Sequence, residues 1–442
     1  MFKKIKFQNF KSWRDTGDIT LSPITGFFGS NSSGKSSIIQ FFLLLKQTME
    51  SSDRQRVLNT GDERSYVELG TLYDITHKHI IPSTIYYEIE WDLPEELTIF
   101  SPESSQHDIL FSLTSLDFAS EIKLGKNQIY VENFCYNFYH GSEQISFKFN
   151  RVGEKENLEY ELESEGYETR RIRERPWKLP APIKNYGFPD QVSSYFQNTG
   201  FLSDFSLAYE KAFERVYYLG PLREYPKRIY SWVGEKPQDV GRRGELAIPA
   251  LLACQQSTMK EQIAYWLKEL ALINSFEVQA IAENRKEYEV RVQRFRDTSQ
   301  VLITDVGFGV SQVLPVLVLC YYAPLGSTII LEQPEIHLHP SVQAGLADVL
   351  IHVMKTRKIQ IIIESHSEHL LRRLAEEKDG LRSKDIKLYF CNSNPDGSSS
   401  LTNLKIDDLG NIANWPENFF GDEIGDLFAM TEAAIKRQIA NE

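Results

Sequence analysis

The residues best suited to chemistry stand near the start of the chain, in the segment Gly29-Ser30-Asn31-Ser32-Ser33-Gly34-Lys35-Ser36. The segment fits the pattern G-x-x-x-x-G-K-[ST], in which the glycines let backbone N–H groups face a phosphate. In this pattern the lysine contacts the β- and γ-phosphates, and the hydroxyl of the last residue binds Mg²⁺. We therefore predict a nucleotide site made by Gly29, Asn31, Ser32, Ser33, Gly34, Lys35, Ser36 and Ser37, with Ser36 as a metal ligand.

The elements on either side of this segment have the character that a phosphate-binding loop needs. Residues 24–28 are an apolar run typical of a buried strand, and residues 37–45 are an apolar run typical of a buried helix. The N-terminus of that helix adds a partial positive charge beside the phosphate. A chance match in a turn rich in glycine and serine is the alternative, and the flanking strand and helix disfavour it.

A second group of reactive side chains stands in the last third of the chain. Residues 327–331 form an apolar strand that ends in the carboxylate of Glu332, and a second apolar strand, residues 359–363, leads to His366. A carboxylate at the tip of a buried strand can lie beside a phosphate loop and its Mg²⁺. Glu332 is therefore the predicted acid on the metal side, and His366 is predicted to contact the γ-phosphate. An ordinary strand-end carboxylate and a histidine bound to backbone are the alternatives.

Two further groups are candidates for contacts with a nucleotide. A glycine-rich turn opens an apolar helix, and its N–H groups can bind a second phosphate; its residues are Gly307, Gly309, Ser311 and Gln312. Near the N-terminus, Lys11, Ser12 and Trp13 are candidates for contact with adenine. The cations Arg223, Lys227 and Arg228 are predicted either to face the nucleotide or a partner, or to form structural ion pairs.

The composition narrows the class of protein. The chain has 442 residues and a net charge of −12, so it is not a general nucleic-acid binder, which needs a basic surface. A local basic cluster at Arg170, Arg171, Arg173, Arg175 and Lys178 is more typical of a solvated loop, because glutamates dilute it. The four cysteines are far apart, no signal peptide is evident and the longest apolar run is too short for a bilayer. A cytoplasmic protein without membrane contact is expected.

The order of elements predicts an α/β fold in which both ends of the chain form one nucleotide-binding head around a parallel sheet. Residues 1–75 are the first part of the head, and residues 76–235 are a β-rich antiparallel insertion followed by a surface excursion at 164–200. Residues 236–300 are a short section of helices and strands that leads to the glycine-rich turn. Residues 301–442 complete the head and end in a helix at about 423–439.

These motifs, in this order, resemble the ABC-type ATPase heads of the RecF/SMC/OLD-like group. The segments Glu-Gln-Pro-Glu-Ile-His-Leu-His-Pro and Ser-His-Ser-Glu carry most of the similarity, which covers residues 1–75 and 300–376 well and the middle loosely. The chain is most similar to compact members without a long coiled coil or a Toprim nuclease domain. Such members occur in bacterial phage-defence systems such as PARIS or Septu.

The resemblance implies ATP and Mg²⁺ as ligands and a role for each motif. Gly307, Gly309, Ser311 and Gln312 correspond to the signature turn, His339 to the D-loop and His366 to the switch histidine. It also implies a head-to-tail dimer, or a higher homo-oligomer, in which each ATP lies between the phosphate loop of one subunit and the signature turn of the other. Packing in the D-loop is then a better explanation of His337 and His339 than a metal pair, because a third ligand is not evident.

The chain departs from the family pattern at the catalytic position. Glu332 replaces the usual aspartate, and Gln333 stands where a water-activating glutamate is usual. A neutral amide orients water but cannot accept its proton. The expected ATPase is therefore slow, or depends on a partner, or uses Glu335 or His339 instead. The glutamine loop has no clear counterpart; Gln40 and Gln47 are candidates only by residue type.

The resulting expectation is an ATP-driven conformational switch in anti-phage defence that controls a separate effector, a nuclease or toxin. The segment after His366 is expected to hold two strands, at about 385–406, and too little else for a nuclease domain, so a nuclease would act in trans. One alternative is a RecF-like repair ATPase that binds DNA directly. The other is an ATP-bound scaffold with low turnover that holds a partner inactive, which Gln333 favours.

Overall fold

The computed structural model describes residues 1–102, 108–126, 128–153, 158–172, 178–254, 257–376, 384–407 and 410–416. The helix expected at 423–439 lies outside the described residues, as do Arg173 and Arg175 of the basic cluster. None of the helices in the described part combines the length and the apolar character that a membrane-spanning segment requires.

The described part of the chain contains runs of consecutive strands as well as strands that alternate with helices. The strands are β1 (Phe2–Phe10), β2 (Trp13–Asp15), β3 (Ile19–Thr20), β4 (Ile24–Gly29), β5 (Ser83–Phe100), β6 (Ile109–Leu124), β7 (Ile129–His140), β8 (Glu143–Arg151), β9 (Tyr160–Glu165), β10 (Val216–Leu219), β11 (Tyr230–Ser231), β12 (Ser275–Ala280), β13 (Glu287–Gln293), β14 (Val301–Leu302), β15 (Thr328–Glu332), β16 (Gln360–Glu364), β17 (Ile386–Ser393) and β18 (Ser399–Leu404). The helices are α1 (Lys35–Glu50), α2 (Leu72–Ile75), α3 (Gln191–Tyr195), α4 (Leu202–Glu214), α5 (Ala247–Ala253), α6 (Ser257–Glu269), α7 (Phe308–Tyr322), α8 (Pro340–Arg357) and α9 (Glu368–Ala375), with 3₁₀ turns at His77–His79 and Ile303–Asp305.

A mostly parallel sheet joins the two ends of the chain, which confirms the predicted α/β fold. Its strand order is β10-β15-β16-β4-β17-β18, and only β18 is antiparallel to its neighbour. Ile330, Ile362 and Phe27 pack on the face shared with α1, while Ile329 and Ile361 pack on the face shared with α7 and α8. Burial on both faces explains why these strands are continuous apolar runs.

A separate antiparallel sheet contains the predicted insertion. Its order is β2-β1-β5-β6-β7-β8-β9, and β3 also pairs with β1. The strands expected between residues 83 and 163 are present, but β1 pairs with β5, so this sheet continues across the boundary expected after residue 75. The expected surface excursion at 164–200 is wrong in part, because Tyr186, Phe188 and Phe196 are buried in the core beside the sheet. Aromatic side chains in a proline-rich segment still bury apolar area when a sheet face is available.

The middle section forms a small third sheet with two helices. The strands β11, β13, β12 and β14 make this sheet, and α5 and α6 pack against α7. The helices and strands expected within residues 236–300 are therefore present. The segment after α9 contains the antiparallel pair β17 and β18, also as expected.

Candidate functional site

The loop between β4 and α1 has a backbone that only glycine accommodates at two positions. Gly29 has φ of 142° and Gly34 has φ of 92°, both in the region that side chains disfavour. A Cβ on Gly29 would lie 2.3 Å from the carbonyl oxygen of Cys391, and a Cβ on Gly34 would lie 2.4 Å from Ser399 Oγ. Cys391 and Ser399 belong to β17 and β18. This pair of strands therefore packs so closely on the loop that a larger residue at position 29 or 34 would displace the loop from the strands.

The side chain of Lys35 lies inside this loop. Its Nζ atom donates hydrogen bonds to the carbonyl oxygens of Gly29, at 3.0 Å, and Ser30, at 2.7 Å. The residue is only 3% exposed, and burial lowers the pKa of its ammonium group, an effect that the nearby Glu364 partly offsets. Lys35 thus presents a concentrated positive charge at the N-terminus of α1, which is the electrostatic requirement for binding a phosphate.

A cavity of about 350 Å³ opens beside the loop. It is lined by Ser32, Ser33, Gly34, Lys35, Ser36 and Ser37 together with Lys11, Ser12 and Gln40. Lys11 Nζ donates a 2.6 Å hydrogen bond to Gln40 Oε1. Trp13, in contrast, is fully buried and donates through Nε1 to the carbonyl oxygen of Gly34, so it supports the loop from behind. Of the predicted loop residues, Gly29 and Asn31 do not line this cavity.

Three buried glutamates, Glu332, Glu335 and Glu364, lie at or just after the ends of β15 and β16, and Glu364 contacts Ser36. The Ser36 hydroxyl donates a 2.8 Å hydrogen bond to Glu364 Oε1. Glu364 ends β16, which lies between β15 and β4, so it is closer to the loop than Glu332, which ends β15. No local pattern in the sequence indicates this role of Glu364, because strand order is not a local property.

Two neighbouring residues, Tyr218 and Arg223, donate hydrogen bonds to Glu332. The hydroxyl of Tyr218 donates to Glu332 Oε1 at 3.1 Å, and Arg223 Nη2 donates to the carbonyl oxygen of Glu332 at 3.4 Å. Burial, and then the charge of Glu364, raises the pKa of the Glu332 carboxyl. Burial lowers the pKa of the Arg223 guanidinium to about 10. Sequence analysis left open whether Arg223, Lys227 and Arg228 face a nucleotide, face a partner or form structural ion pairs. Arg223 is buried beside Glu332. Lys227 forms an ion pair with Glu224, and Arg228 forms one with Asp305.

Hydrogen bonds join the segment after Glu332 to the segment that contains His366, the predicted switch histidine. Glu335 Oε1 accepts hydrogen bonds from Ser365 Oγ, at 2.7 Å, and from the backbone N–H of His366, at 2.8 Å. Burial raises the pKa of the Glu335 carboxyl. Gln333 has φ of 44°, and its N–H donates to the carbonyl oxygen of Glu364 at 2.8 Å. These hydrogen bonds join residues 333–335 to the segment that contains His366.

His366 lies close to the loop, whereas His339 has a structural contact. Burial, and then the charge of Lys35, lowers the pKa of His366, while a hydrogen bond with the backbone of Gly29 raises it in part. The lowered pKa favours the neutral imidazole, which lies near Lys35 and Gly29. His339 caps α8, because its Nδ1 accepts a hydrogen bond from the N–H of Ser341 at 3.3 Å.

The predicted signature turn lies away from this cavity, at the start of α7. Gly307 caps the helix, and Ser311 Oγ donates to the carbonyl oxygen of Phe308 at 2.7 Å. The ring of Phe308 lies 5.5 Å from that of Tyr225 and 5.4 Å from that of His337. Gln312 is buried. Within the described ranges, the turn contributes no residue to the cavity beside Lys35.

The chemistry of these groups fits ATP with Mg²⁺. Among the described residues, Oε2 of Glu335 and Oε2 of Glu364 are buried and have no hydrogen-bond partner. Buried carboxyl groups with raised pKa values gain stability in their ionised form when a cation approaches. Ser36 and Glu364, which are joined by a hydrogen bond, are therefore suited to a divalent cation, and Lys35 with the loop N–H groups is suited to phosphates.

Two family models match the sequence. One, described as "AAA domain, putative AbiEii toxin, Type IV TA system" (AAA_21), matches residues 24–372. The other, described as "Protein of unknown function (DUF3696)", matches residues 381–430. No curated protein matches the sequence. The first match covers β4, α1, β15 and β16, which are the elements that build the site, and it also covers the glycine-rich turn at 307–312.

Among solved structures, three SMC head domains are similar to the chain. An SMC head bound to the C-winged helix domain of ScpA shares 11% identity over 92% of this chain and 98% of that chain, with a TM-score of 0.45. The SMC head domain from Thermotoga maritima shares 14% identity over 92% of this chain and 99% of that chain, with a TM-score of 0.40. A head domain with an extended coiled coil, bound to the C-terminal domain of ScpA derived from Pyrococcus furiosus, shares 10% over 91% and 96%, with a TM-score of 0.42.

Proposed function

The chain belongs to the AAA-domain family whose model matches residues 24–372, and from this premise we propose that it binds ATP with Mg²⁺ and hydrolyses ATP slowly. The observation that carries the proposal is the position of Lys35. Its ammonium group lies within the curve of the loop, 3.0 Å from the Gly29 oxygen and 2.7 Å from the Ser30 oxygen, at the start of a helix. This arrangement binds the phosphates of a nucleotide through charge and backbone N–H groups.

The acids beside the loop are proposed to serve the metal. Ser36 and Glu332 would hold Mg²⁺, and the metal supplies positive charge to the phosphoryl oxygens. His366 is proposed to contact the γ-phosphate, because it lies beside Lys35 and Gly29. The bond from the His366 N–H to Glu335 connects this sensor to the segment that contains Gln333.

Slow hydrolysis follows from the residue at position 333. The side chain of Gln333 can orient a water molecule, but it cannot take a proton from it. Glu335 and His339 were the alternative bases, and both make structural contacts: Glu335 with Ser365 and His366, and His339 with Ser341. These contacts support a long-lived ATP-bound state rather than rapid turnover.

We further propose that two copies assemble head to tail, so that the signature turn of one copy completes the site of the other. Two observations support this arrangement. In the described part of the chain, the turn does not reach the cavity beside Lys35. The surface next to the turn also exposes aromatic side chains, since Tyr225, whose ring contacts that of Phe308, is 72% exposed and Phe308 is 37% exposed. Gly307, Gly309, Ser311 and Gln312 would then contact ATP held by the partner.

The biological role we propose is a cytoplasmic switch in anti-phage defence that controls a separate effector, a nuclease or a toxin. The description of the family names a toxin of a type IV toxin–antitoxin system, which is consistent with this setting. The four free cysteines suit a reducing compartment. A scaffold that binds ATP without turnover is the second candidate, and the neutral side chain of Gln333 favours it.

The test is a measurement of ATP turnover and oligomeric state on the full chain. We expect the protein with Mg-ATP to dimerise and to hydrolyse ATP slowly, and Lys35→Ala to do neither. Dimerisation without any turnover above the Lys35→Ala background would favour the scaffold. Turnover stimulated by DNA, with binding that weakens steeply as salt is added, would instead favour a RecF-like repair ATPase. Absence of ATP binding would refute the proposed function.

A further inference from the structure

Glu364 occupies the strand position next to the phosphate loop. In the register of the parallel sheet it lies opposite Glu332 of β15 on one side and Phe27 of β4 on the other. Neighbouring strands are about 4.8 Å apart, so Glu364 is one strand from the loop, whereas Glu332 is two strands away. The carboxylate nearest to the loop is therefore the one that sequence patterns did not select.

The contact between Ser36 and Glu364 has the geometry of a metal-ligand support. The Ser36 hydroxyl donates a hydrogen bond to Glu364 Oε1 at 2.8 Å. A serine hydroxyl has one proton and two lone pairs, so this bond leaves lone pairs free for a cation. Glu364 is 2% exposed, and in the described ranges its Oε2 has no hydrogen-bond partner. A carboxylate placed in this way fixes the orientation of the Ser36 hydroxyl and increases the partial negative charge on Ser36 Oγ.

We propose that Glu364 is the positioning residue that orients the Ser36 hydroxyl toward Mg²⁺. This inference rests on the proposed function and adds a residue to it. Glu332 has a different set of contacts, because its Oε1 accepts from Tyr218 and its backbone oxygen accepts from Arg223. Glu364 therefore acts through the Ser36 hydroxyl, whereas Glu332 is held by Tyr218 and Arg223.

A purely structural role for the Ser36–Glu364 bond is the competing explanation. The bond links β16 to α1, and its loss could simply loosen the loop. A loosened loop would bind ATP more weakly both with Mg²⁺ and without it. Misplacement of the metal ligand would instead reduce only the gain in affinity that Mg²⁺ provides. The ratio of the two affinities therefore separates the explanations.

The experiment is equilibrium binding of the non-hydrolysable analogue AMP-PNP, measured by calorimetry with Mg²⁺ and with EDTA. We expect Glu364→Ala to reduce the Mg²⁺-dependent gain in affinity by about ten- to a hundredfold, the usual range for supports of metal ligands. Ser36→Ala should cause a similar loss, and the double variant should lose no more than either single variant.

The controls decide the outcome. Glu50→Ala removes a glutamate at the other end of α1, where it pairs with Lys46, and should leave the ratio unchanged. If Glu364→Ala does not fold, Glu364→Gln replaces it in the same cycle, since it keeps the shape and an acceptor oxygen but not the charge. A ratio within about twofold of the wild type, or additive losses with Ser36→Ala, would overturn the inference. Absence of AMP-PNP binding by the wild type would refute the proposed function as well.

Discussion

Replacing Gly34 by alanine should damage the phosphate loop more than its small size suggests. A residue with a side chain at φ of 92° has a backbone cost of roughly 1–2 kcal/mol. The new Cβ would also lie 2.4 Å from Ser399 Oγ and 2.8 Å from Ser12 Oγ. Overpacking of this kind costs about 1–3 kcal/mol, so the total loss of stability is about 2–5 kcal/mol.

Gly17→Ala is a matched control for the backbone part of this cost. Gly17 also has a positive φ, 63°, but a Cβ there would meet no atom within 4 Å. Its loss of stability should be about 1–2 kcal/mol, with ATP affinity unchanged. The difference between the two variants therefore isolates the steric contact with β18 and its effect on the loop.

The assay compares the urea midpoint and AMP-PNP affinity of both variants with the wild type. We expect Gly34→Ala to have the lower midpoint and to lose at least about tenfold in affinity, because a shift at the start of α1 misdirects the N–H groups. Adding Ser399→Ala removes the nearest atom and should restore part of both losses. Equal midpoints for the two glycine variants, with full affinity in Gly34→Ala, would refute the reasoning.

Two further predictions concern charge. Gln333→Glu should raise ATP turnover about ten- to a hundredfold by adding a proton acceptor; unchanged turnover with normal ATP affinity would show that another step limits the rate. Asp117 lies opposite Glu90 in the β5–β6 pair, and burial, then Glu90, raises its pKa from 3.8 to about 6. A raised folded-state pKa means that stability falls as the pH rises from about 4 to above 6. The shift of about 2 units corresponds to about 3 kcal/mol, reduced by partial exposure to about 1 kcal/mol. Asp117→Asn should therefore raise the urea midpoint at pH 8 and leave it unchanged below pH 4, and an equal gain at both pH values would contradict this cause.

The parts of the site that the sequence predicts are those set by neighbouring residues. The loop at 29–36 lies between a strand and a helix as expected, because the apolar runs beside it and the glycine spacing are local signals. The strands that end at Glu332 and Glu364 are also local, since each is a short β-branched run buried on both faces. Local pattern alone was sufficient for these elements.

The remaining features depend on which elements become neighbours. The contact between Ser36 and Glu364 exists because β16 lies between β15 and β4, and a single sequence does not state strand order. The restriction on Gly34 comes from Ser399 in β18, which is far away along the chain. Pairing of β1 with β5 likewise joins segments that composition separates. Such contacts follow from topology, which the local pattern does not encode.

Every step proposed for this chain depends on binding of ATP by the loop around Lys35, which equilibrium binding of ATP to the full chain measures. We expect saturable binding in the presence of Mg²⁺, and at least about tenfold weaker binding by Lys35→Ala, since that variant loses the charge that meets the phosphates. The variant should keep the circular dichroism spectrum of the wild type. Equal affinity in both proteins, or no binding by either, would contradict the account.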